Sequence, residues 1–351
     1  MEAFFYALYY ICEPHIQALF MIKVAVNGFG RIGRVFTRLA LANPNIQVVA
    51  INDLTDNRVL SHLFTYDSIH GSFQGEVDYS ENELIIDGNT IKTFNEKDPA
   101  NLAWDNLNVD IVIESTGLFR TTELASKHLR SGAKKVIISA PAKDDRIKTV
   151  CLGINDDILN ADDRIVSNAS CTTNSAAPLV EVMKDLVEIE SAYITTVHSY
   201  TNDQRLHDTP HQDLRRARAA ATSIVPTTTG AAKAITKIFP GLEGKIGGAG
   251  IRVPVPNGSL TDMNFVVSDA ISISTINQAF KEAAEGKLKG ILQYLTDPIV
   301  SVDIINNPYS SIFDSELTSV VGKMVKVVGW YDNEYGYSSR LVELVEKMAR
   351  L

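Results

Sequence analysis

The residues with the clearest chemical potential lie around Cys171, in the stretch Ser-Cys-Thr-Thr-Asn at positions 170–174. A hydrophobic β pattern at residues 164–167 precedes this stretch, and from Ala176 onward apolar residues recur at helical spacing. The pattern predicts that Cys171 lies at or near a helix N-terminus, where unpaired N–H groups and the helix dipole favour negative charge. That position stabilises a thiolate, the nucleophilic form of cysteine. A lone cysteine is more often a small buried hydrophobe, so a catalytic role needs support from other residues.

A histidine and a group of anion-binding candidates come later in the chain. His198 ends a strand pattern over residues 193–197. Alone, it would more often be an ordinary polar contact, but beside Cys171 it would form a thiolate–imidazolium pair, lower the thiol pKa and move protons. Residues 199–226 show little periodicity, and long irregular segments in compact domains tend to be functional. Their basic cluster at 214–218 fits either structural salt bridges or anion binding.

Two further features suit a phosphate group. Thr227, Thr228, Thr229 and Gly230 open a helix at Ala231, where hydroxyls and N–H groups would form a phosphate cradle. Arg252, in Ile-Arg-Val-Pro, is a candidate charge partner because guanidinium matches phosphate geometry.

The elements that must position a cofactor stand in the first half of the chain. A buried-strand pattern at 22–27 leads into Gly-Phe-Gly-Arg-Ile-Gly at 28–33, a helical stretch comes next, and a second strand over 46–52 ends at Asp53. This order of strand, glycine-rich turn, helix, strand and acid predicts a dinucleotide site. Asp53 would accept hydrogen bonds from the adenosine ribose and repel a 2′-phosphate, which favours NAD over NADP.

Each glycine of the turn has a separate physical task. Gly28 permits the tight turn, Gly30 lets the backbone approach a pyrophosphate, and Gly33 allows close packing of helix on strand. The N–H groups of Arg31 and Ile32 would point at the phosphates.

Further strands alternate with helices and predict a parallel sheet covered on both faces. Strand patterns at 110–114 and 135–139 flank a helix around 122–129. In such sheets the ligand binds beyond the carboxyl ends of the strands. Thr116, Gly117, Phe119 and Ser139 fall there, as does Cys171.

Composition limits the classes of protein that fit. The chain has 351 residues, 45% of them apolar and 21% charged, which predicts two domains with an ample core. The net charge of −9 argues against general affinity for nucleic acid or anionic membranes. Three scattered cysteines (Cys12, Cys151 and Cys171) suit a reducing, cytoplasmic compartment without disulfides. We expect no metal site.

The first twenty residues differ in character from the rest of the chain. They are rich in Phe, Tyr and Ile but lack a basic start, a long apolar run and a small-residue cleavage site, so they make a poor signal peptide. They are also too short and broken to span a bilayer. We interpret residues 1–20 as an extension arising from the choice of start codon, with Met21 the natural start; a short appended segment is the alternative.

Taken together, these motifs make the chain similar to the phosphorylating glyceraldehyde-3-phosphate dehydrogenases of bacterial type, from Met21 to the C-terminus. The resemblance rests on Asn-Gly-Phe-Gly-Arg-Ile-Gly-Arg at 27–34, Ser-Asn-Ala-Ser-Cys-Thr-Thr-Asn at 167–174, His-Ser-Tyr-Thr-Asn-Asp-Gln at 198–204, Thr-Gly-Ala-Ala-Lys-Ala at 229–234 and Trp-Tyr-Asp-Asn-Glu-Tyr-Gly-Tyr-Ser at 330–338. It implies oxidation of glyceraldehyde 3-phosphate by NAD to 1,3-bisphosphoglycerate, with Cys171 as nucleophile and His198 as base. A thiohemiacetal and then a thioester would form on Cys171, and inorganic phosphate would cleave the thioester.

The same resemblance assigns the remaining site residues. Thr201 and Arg252 would bind the phosphate of the substrate. Attacking phosphate would bind Ser170, Thr172, Thr229 and Gly230, with Arg216 nearby. Asn333 would hold the nicotinamide carboxamide with Tyr337 packed close by, and Thr116, Phe119 and Ser139 would complete the cofactor cleft.

The resemblance also implies the organisation of the chain. We expect a Rossmann-type, doubly wound parallel-sheet NAD-binding domain over 21–170 and an α+β catalytic domain with a mixed sheet over 171–332. A C-terminal segment over 333–351, with a helix at 338–350, would return to the first domain. The family forms homotetramers, with the loop after the histidine at a subunit interface.

Three positions depart from the family pattern. Ser175 stands where many relatives have a second cysteine, and we expect little effect. Lys97 replaces an arginine common near the adenine, which puts that contact in doubt but not NAD binding. Thr209 replaces a bulky apolar residue of NAD-preferring relatives, which would relax discrimination against NADP, although Asp53 should still dominate.

Three alternatives stay open at this point. Erythrose-4-phosphate dehydrogenases typically lack the Tyr200-Thr201 pair, and semialdehyde dehydrogenases lack the motif at 330–338. A surface-adhesion role would leave Cys171 and His198 unexplained.

Overall fold

The computed structural model describes residues 21–351, and the segment interpreted as a start-site extension lies outside the described residues. Two β-sheets organise the described chain, and helices cover their faces. The predicted class, an α/β protein with a Rossmann-type parallel sheet and a second mixed sheet, is confirmed. Between Met21 and Leu351 no helix combines the length and apolar character needed to cross a membrane.

The first sheet has nine strands in the order β3-β4-β5-β2-β1-β6-β7-β9-β8. Its strands are β1 (Ile22–Asn27), β2 (Ile46–Asn52), β3 (Val77–Tyr79), β4 (Glu83–Ile86), β5 (Asn89–Phe94), β6 (Ile111–Glu114), β7 (Lys135–Ile138), β8 (Lys148–Thr149) and β9 (Ile165–Ser167). Its helices are α1 (Arg31–Leu41), α2 (Asn57–Thr65) and α3 (Thr122–Arg130). The pairing is parallel except along the β3-β4-β5 edge, so the carboxyl ends of the central strands share one edge.

Both faces of this sheet are buried, which explains the unbroken apolar runs of its central strands. Val24 and Val26 pack in one cluster with Phe36 of α1, whereas Ala25 faces a second cluster around Trp104. Ile138 joins a third cluster with Ala125 of α3.

The second sheet has eight strands, with the path β11-β12-β10-β13-β17-β15-β14 and β16 paired to β17. Its strands are β10 (Ile189–Ser199), β11 (Val225–Thr227), β12 (Ile246–Val253), β13 (Ser259–Val267), β14 (Leu292–Leu295), β15 (Ser311–Asp314), β16 (Ser319–Val321) and β17 (Met324–Tyr331). Its helices are α4 (Cys171–Leu186), α5 (Ala231–Ile238) and α6 (Ile273–Glu285). Parallel and antiparallel pairs occur together, so the sheet is mixed. The helices cover one face, while Tyr193 and Val266 of the strands remain exposed.

The last helix, α7 (Tyr335–Arg350), returns to the first sheet and packs beside α1. Leu341, Val345 and Met348 are fully buried in the same apolar cluster as Val24 and Phe36. Helix α7 begins three residues before the predicted position 338, because the turn at Asp332 caps it earlier: the Oδ1 atom of Asp332 accepts from the N–H of Tyr335 at 2.8 Å.

Candidate active site

Cys171 is the first residue of α4, as the sequence predicts. Ser170 is the N-cap, and its Oγ accepts from the N–H of Thr173 at 3.1 Å. This polar first turn lacks the apolar periodicity that starts at Ala176, but the cap residue marks the true beginning of the helix. Ala169 has a left-handed backbone, with φ of 55°, and the Tyr337 hydroxyl donates to its carbonyl at 3.1 Å. The aromatic residue expected near the nicotinamide therefore also supports the turn that presents the thiol.

His198 lies directly opposite the cysteine. Its Nε2 atom is 3.5 Å from the Sγ atom of Cys171. Its Nδ1 atom is 2.7 Å from the carbonyl oxygen of Ser199, which can only accept a hydrogen bond. A ring proton on Nδ1 satisfies this contact and leaves the Nε2 lone pair facing the thiol. The pair is therefore arranged for transfer of the thiol proton to the imidazole.

The electrostatic surroundings act on each member of the pair separately. Burial raises the pKa of Cys171 above its ordinary value, although Arg252 and the N–H and hydroxyl of Thr172 act in the opposite direction. Burial and then Arg252 lower the pKa of His198 to about 3. Burial therefore outweighs the N–H groups at the start of α4 in setting the thiol pKa, and the thiolate expected at this position stays a prediction. An ion pair forms only by proton transfer within the pair, which creates both charges together.

The first anion-binding candidate lies beside the histidine. Arg252 is the register partner of His198 across the parallel pair β10–β12. Its Nη1 atom is 3.0 Å from Nδ1 of His198, and it donates to the carbonyl of Ser199 at 3.0 Å and to Thr201 Oγ1 at 3.4 Å. The arginine and threonine predicted to bind one phosphate are therefore brought together beside His198.

The second candidate lies where the loop after β10 meets the start of α5. Gly230 is the N-cap of α5, open space lies where a Cβ would project from it, and Thr229 Oγ1 accepts from the N–H of Ala231 at 3.2 Å. Arg216 is already engaged: its Nε donates to Thr227 Oγ1 at 2.9 Å and its Nη1 to the carboxylate of Asp203. This arginine therefore forms a salt bridge beside the helix start, and anion binding by the basic cluster stays a prediction.

Ser170 and Thr172, which the resemblance also assigns to this second anion, serve the frame of the site as well. The hydroxyl of Ser170 caps α4. Thr172 is buried, and its Oγ1 lies 2.9 Å from the hydroxyl of Tyr331. Thr196 of β10 contacts the same hydroxyl at 2.9 Å, so Tyr331 connects the strand that carries His198 to the helix that carries Cys171.

The glycine-rich turn has the geometry that a dinucleotide needs. Gly28 has φ of 94°, and a Cβ there would lie 2.8 Å from the N atom of Thr116. A Cβ on Gly33 would collide with the carbonyl oxygen of Gly28. At Gly30 the corresponding direction is open space, as required for close approach of a phosphate. Arg31 and Ile32 form the first turn of α1, whose N–H groups face that opening.

Asp53 lies at the carboxyl end of β2, beside this turn. Its Oδ2 accepts from the N–H of Phe29 at 2.8 Å and its Oδ1 from the N–H of Thr55 at 3.0 Å. Each oxygen keeps a further lone pair for ribose hydroxyls. The cleft that it lines has a volume of about 550 Å³, and its lining includes six of the residues predicted to bind the cofactor, namely Gly28, Gly30, Asp53, Lys97, Thr116 and Phe119.

The nicotinamide end is assembled by residues from distant parts of the chain. The Ser199 and Ser259 hydroxyls donate to Oδ1 of Asn333 at 2.9 and 2.8 Å. Both bonds hold the amide carbonyl, so the NH₂ group is left to donate to a ligand carboxamide. Ser199 comes directly after His198 in β10, so the amide of Asn333 that it holds lies near the pair of Cys171 and His198. Ser139 comes directly after β7, at the same edge of the first sheet as Thr116.

The sequence reasoning did not find two residues that hold the elements of the candidate site together. Tyr331 lies in the motif at 330–338, but the sequence pattern around it does not indicate that it connects β10 to α4. Glu114 ends the apolar strand β6 and is almost completely buried, with Asn27 Nδ2 at 2.5 Å and His128 Nε2 at 3.0 Å. A carboxylate at the end of a buried strand was the available signal, because such a charge needs partners.

Known proteins match this chain in both of its halves. The model described as glyceraldehyde 3-phosphate dehydrogenase, NAD binding domain, matches residues 22–122, and the model described as glyceraldehyde 3-phosphate dehydrogenase, C-terminal domain, matches residues 170–333. The glyceraldehyde-3-phosphate dehydrogenase of Thermotoga maritima is 55% identical over 334 residues, covering 94% of this chain and 100% of the relative. That of Geobacillus stearothermophilus is 53% identical, covering 93% and 98%, and glyceraldehyde-3-phosphate dehydrogenase 1 of Bacillus subtilis is 51% identical, covering 94% and 98%.

Proposed function

Because this chain belongs to the glyceraldehyde-3-phosphate dehydrogenase family, we propose that Cys171 and His198 carry out its reaction. The chain is an NAD-dependent oxidoreductase of glycolysis, which converts D-glyceraldehyde 3-phosphate and inorganic phosphate to 1,3-bisphosphoglycerate. The observation that carries the assignment of residues is the 3.5 Å contact between Sγ of Cys171 and Nε2 of His198. Erythrose-4-phosphate dehydrogenase is not favoured.

The first half of the reaction uses the pair in both directions. Nε2 of His198 accepts the thiol proton, and Sγ attacks the aldehyde carbon, so a C–S bond forms and the carbonyl π electrons move to oxygen. The backbone N–H of Cys171, at the N-terminus of α4, is placed to donate to that oxygen. The imidazolium of His198 then returns its proton to that oxygen, and the resulting thiohemiacetal has a hydroxyl-bearing carbon, which a free aldehyde lacks. His198 then removes the hydroxyl proton as hydride leaves.

Bound NAD would supply the hydride acceptor. The turn at residues 28–33 and Asp53 would hold its adenosine and pyrophosphate, and the NH₂ group of Asn333 would orient its carboxamide. In the second half, a phosphate oxygen attacks the thioester carbon and the C–S bond breaks, so Cys171 is released as thiolate. Thr229 and Gly230 at the start of α5 would bind the attacking phosphate, and Arg252 and Thr201 the phosphate of the substrate.

The domain boundaries agree with the same assignment. We propose an NAD-binding domain over 21–170, a catalytic domain over 171–332 and a returning segment over 333–351. The two sheets lie within the first two of these ranges and α7 lies within the third, which supports this division.

We also propose a homotetramer in the cytoplasm. The loop after His198 exposes Leu206 by 73% and Leu214 by 81%, and the uncovered face of the second sheet exposes Tyr193. Apolar side chains in such number favour burial against other subunits. A reducing compartment would keep the free thiol of Cys171 competent. Light scattering on the purified protein tests the oligomeric state, and a monomer would contradict it.

The decisive experiment measures NADH formation at 340 nm from glyceraldehyde 3-phosphate with and without inorganic phosphate, with NADP and erythrose 4-phosphate in parallel. We expect phosphate-dependent NADH formation. Phosphate-independent turnover would remove Ser170, Thr229 and Gly230 from the proposed phosphate site, and a higher rate on erythrose 4-phosphate would change the substrate.

A further inference from the structure

A cluster of charged side chains joins the glycine-rich turn to the loop that carries Asn333. Arg31, the first residue of α1, donates from Nε and Nη2 to the two carboxylate oxygens of Glu334, at 2.9 and 2.5 Å. Its Nη1 donates to Asp67 Oδ2 at 2.7 Å. Each of the three guanidinium nitrogens therefore donates to a protein carboxylate, although the residue was predicted to bind the cofactor. Arg31 would therefore contact the cofactor through its backbone N–H.

His70 completes the cluster from the segment after α2. Its Nε2 lies 2.8 Å from Oε2 of Glu334 and its Nδ1 lies 2.6 Å from Oδ1 of Asn306. Both partners are acceptors, so the doubly protonated ring satisfies both contacts. Arg31 and His70 together surround the Glu334 carboxylate with donors. Although burial acts to raise the pKa of Glu334, these contacts lower it overall.

Glu334 comes directly after the residue proposed to hold the nicotinamide carboxamide. The backbone between them is fixed by Asp332, whose Oδ1 accepts from the N–H of Glu334 at 2.9 Å and whose Oδ2 accepts from the N–H of Asn306 at 2.8 Å. The contacts therefore connect the glycine-rich turn to Asn333, through Arg31, Glu334 and the 332–334 loop. The turn and the loop serve opposite ends of one cofactor.

We propose that Glu334 is a positioning residue: by binding Arg31 and His70, it fixes the carboxamide donor Asn333 relative to the glycine-rich turn that binds the pyrophosphate. The inference rests on the proposed function of these two elements. A dinucleotide that contacts both the glycine-rich turn and Asn333 is held in one position only when the distance between these two elements is fixed. A small displacement of the nicotinamide would misalign hydride transfer. The nicotinamide end should therefore depend on Glu334 more than the adenosine end does.

The test compares two ligands that differ at one end. NAD reaches Asn333, whereas ADP-ribose carries the adenosine and both phosphates but no nicotinamide. Glu334→Gln keeps the size of the side chain but places an NH₂ group against the donors of Arg31 or His70. By calorimetry we expect NAD to bind about ten-fold more weakly to this variant and ADP-ribose to change by less than about two-fold. In turnover, kcat should fall at saturating NAD, and a deuterium isotope effect from aldehyde-labelled substrate should grow.

The matched control is Asp67→Asn, which removes the other carboxylate partner of Arg31 without touching the 332–334 loop. Its ratio of NAD to ADP-ribose affinity should equal that of the wild type. Equal weakening of both ligands by Glu334→Gln, or no weakening of either, would overturn the proposal. If Glu334→Gln does not fold, as judged by thermal melting and the alkylation rate of Cys171, the same ratio is measured on Glu334→Asp. A wild-type protein that forms no NADH would instead refute the proposed function.

Discussion

Replacement of His198 by asparagine tests whether the catalytic pair shares one proton. Asparagine is polar and close to histidine in length, but it has no group that accepts the thiol proton. The thiolate of the variant would lose its imidazolium partner and keep only Arg252, Thr172 and the start of α4. The change therefore isolates the electrostatic contribution of the imidazolium.

The magnitude depends on the 3.5 Å between Sγ and Nε2. Opposite unit charges at that distance attract by about 5 kcal/mol at an effective dielectric constant near 20. That energy corresponds to about 3.5 units of pKa. Cys171 is only half-buried, so water weakens the attraction. We expect the attraction to be worth about two to three units, so that His198, whose pKa is about 3 beside the neutral thiol, holds a proton beside the thiolate at mildly acid pH.

The assay is the rate of iodoacetamide alkylation as a function of pH on protein without substrate. At mildly acid pH the alkylation rate of the wild type should fall less steeply with decreasing pH than that of His198→Asn, because only the wild type keeps an imidazolium beside the thiolate, and turnover of the variant should fall by roughly 10²–10⁴-fold. His207→Asn is the matched control, because His207 is exposed on the loop after β10, and its profile should match the wild type. Superimposable profiles for wild type and His198→Asn would refute the shared proton.

Three further perturbations test other parts of the site. Cys171→Ala should abolish turnover yet leave the NAD dissociation constant within about two-fold, and any remaining aldehyde oxidation would contradict the role of the thiol. Asp53→Asn keeps an acceptor for the N–H of Phe29 but removes the charge that faces a 2′-phosphate. The ratio of kcat/KM for NADP to that for NAD should therefore rise about 10- to 100-fold. An unchanged ratio would show that Asp53 does not contact the ribose. His70 has a raised pKa because its bonds to Glu334 and Asn306 and nearby carboxylates outweigh burial, which lowers it. The stability that it contributes is therefore complete below its unfolded pKa near 6.5 and is lost as pH rises through the raised folded value. In urea unfolding the margin of wild type over His70→Gln should be about 1 kcal/mol or more at pH 6 and should shrink by pH 9; a margin that grows with pH would contradict this sign.

Local signals predicted the start of the catalytic helix and the cofactor turn. Ser170 is a capping residue that precedes an amphipathic pattern, so the position of Cys171 in α4 depends on neighbours in the sequence. The turn at 28–33 carries its own glycine spacing. The family model confirms the predicted NAD-binding domain, while the roles of the individual turn residues stay predictions.

Tertiary contacts determined what the residues alone could not predict. Strand β12 contains Gly247, Gly248 and Gly250, which are poor strand formers, and it exists because it pairs beside β10. A Cβ on Gly248 would lie 3.1 Å from the carbonyl of Ile194, so close packing requires glycine there. The distance between Cys171 and His198 likewise depends on two elements brought together by folding.

Because α7 packs beside α1, the apolar core of the first sheet is completed only late in synthesis. The first sheet is built from residues made early, but Leu341 and Met348 complete its apolar cluster from the last helix made. A nascent chain that has emerged only as far as α4 therefore exposes an uncovered face of the sheet to water. The C-terminal residues must leave the ribosome before the nucleotide-binding half closes its core. Removal of α7 would then destabilise the domain built on the first sheet, although that domain lies at the other end of the sequence.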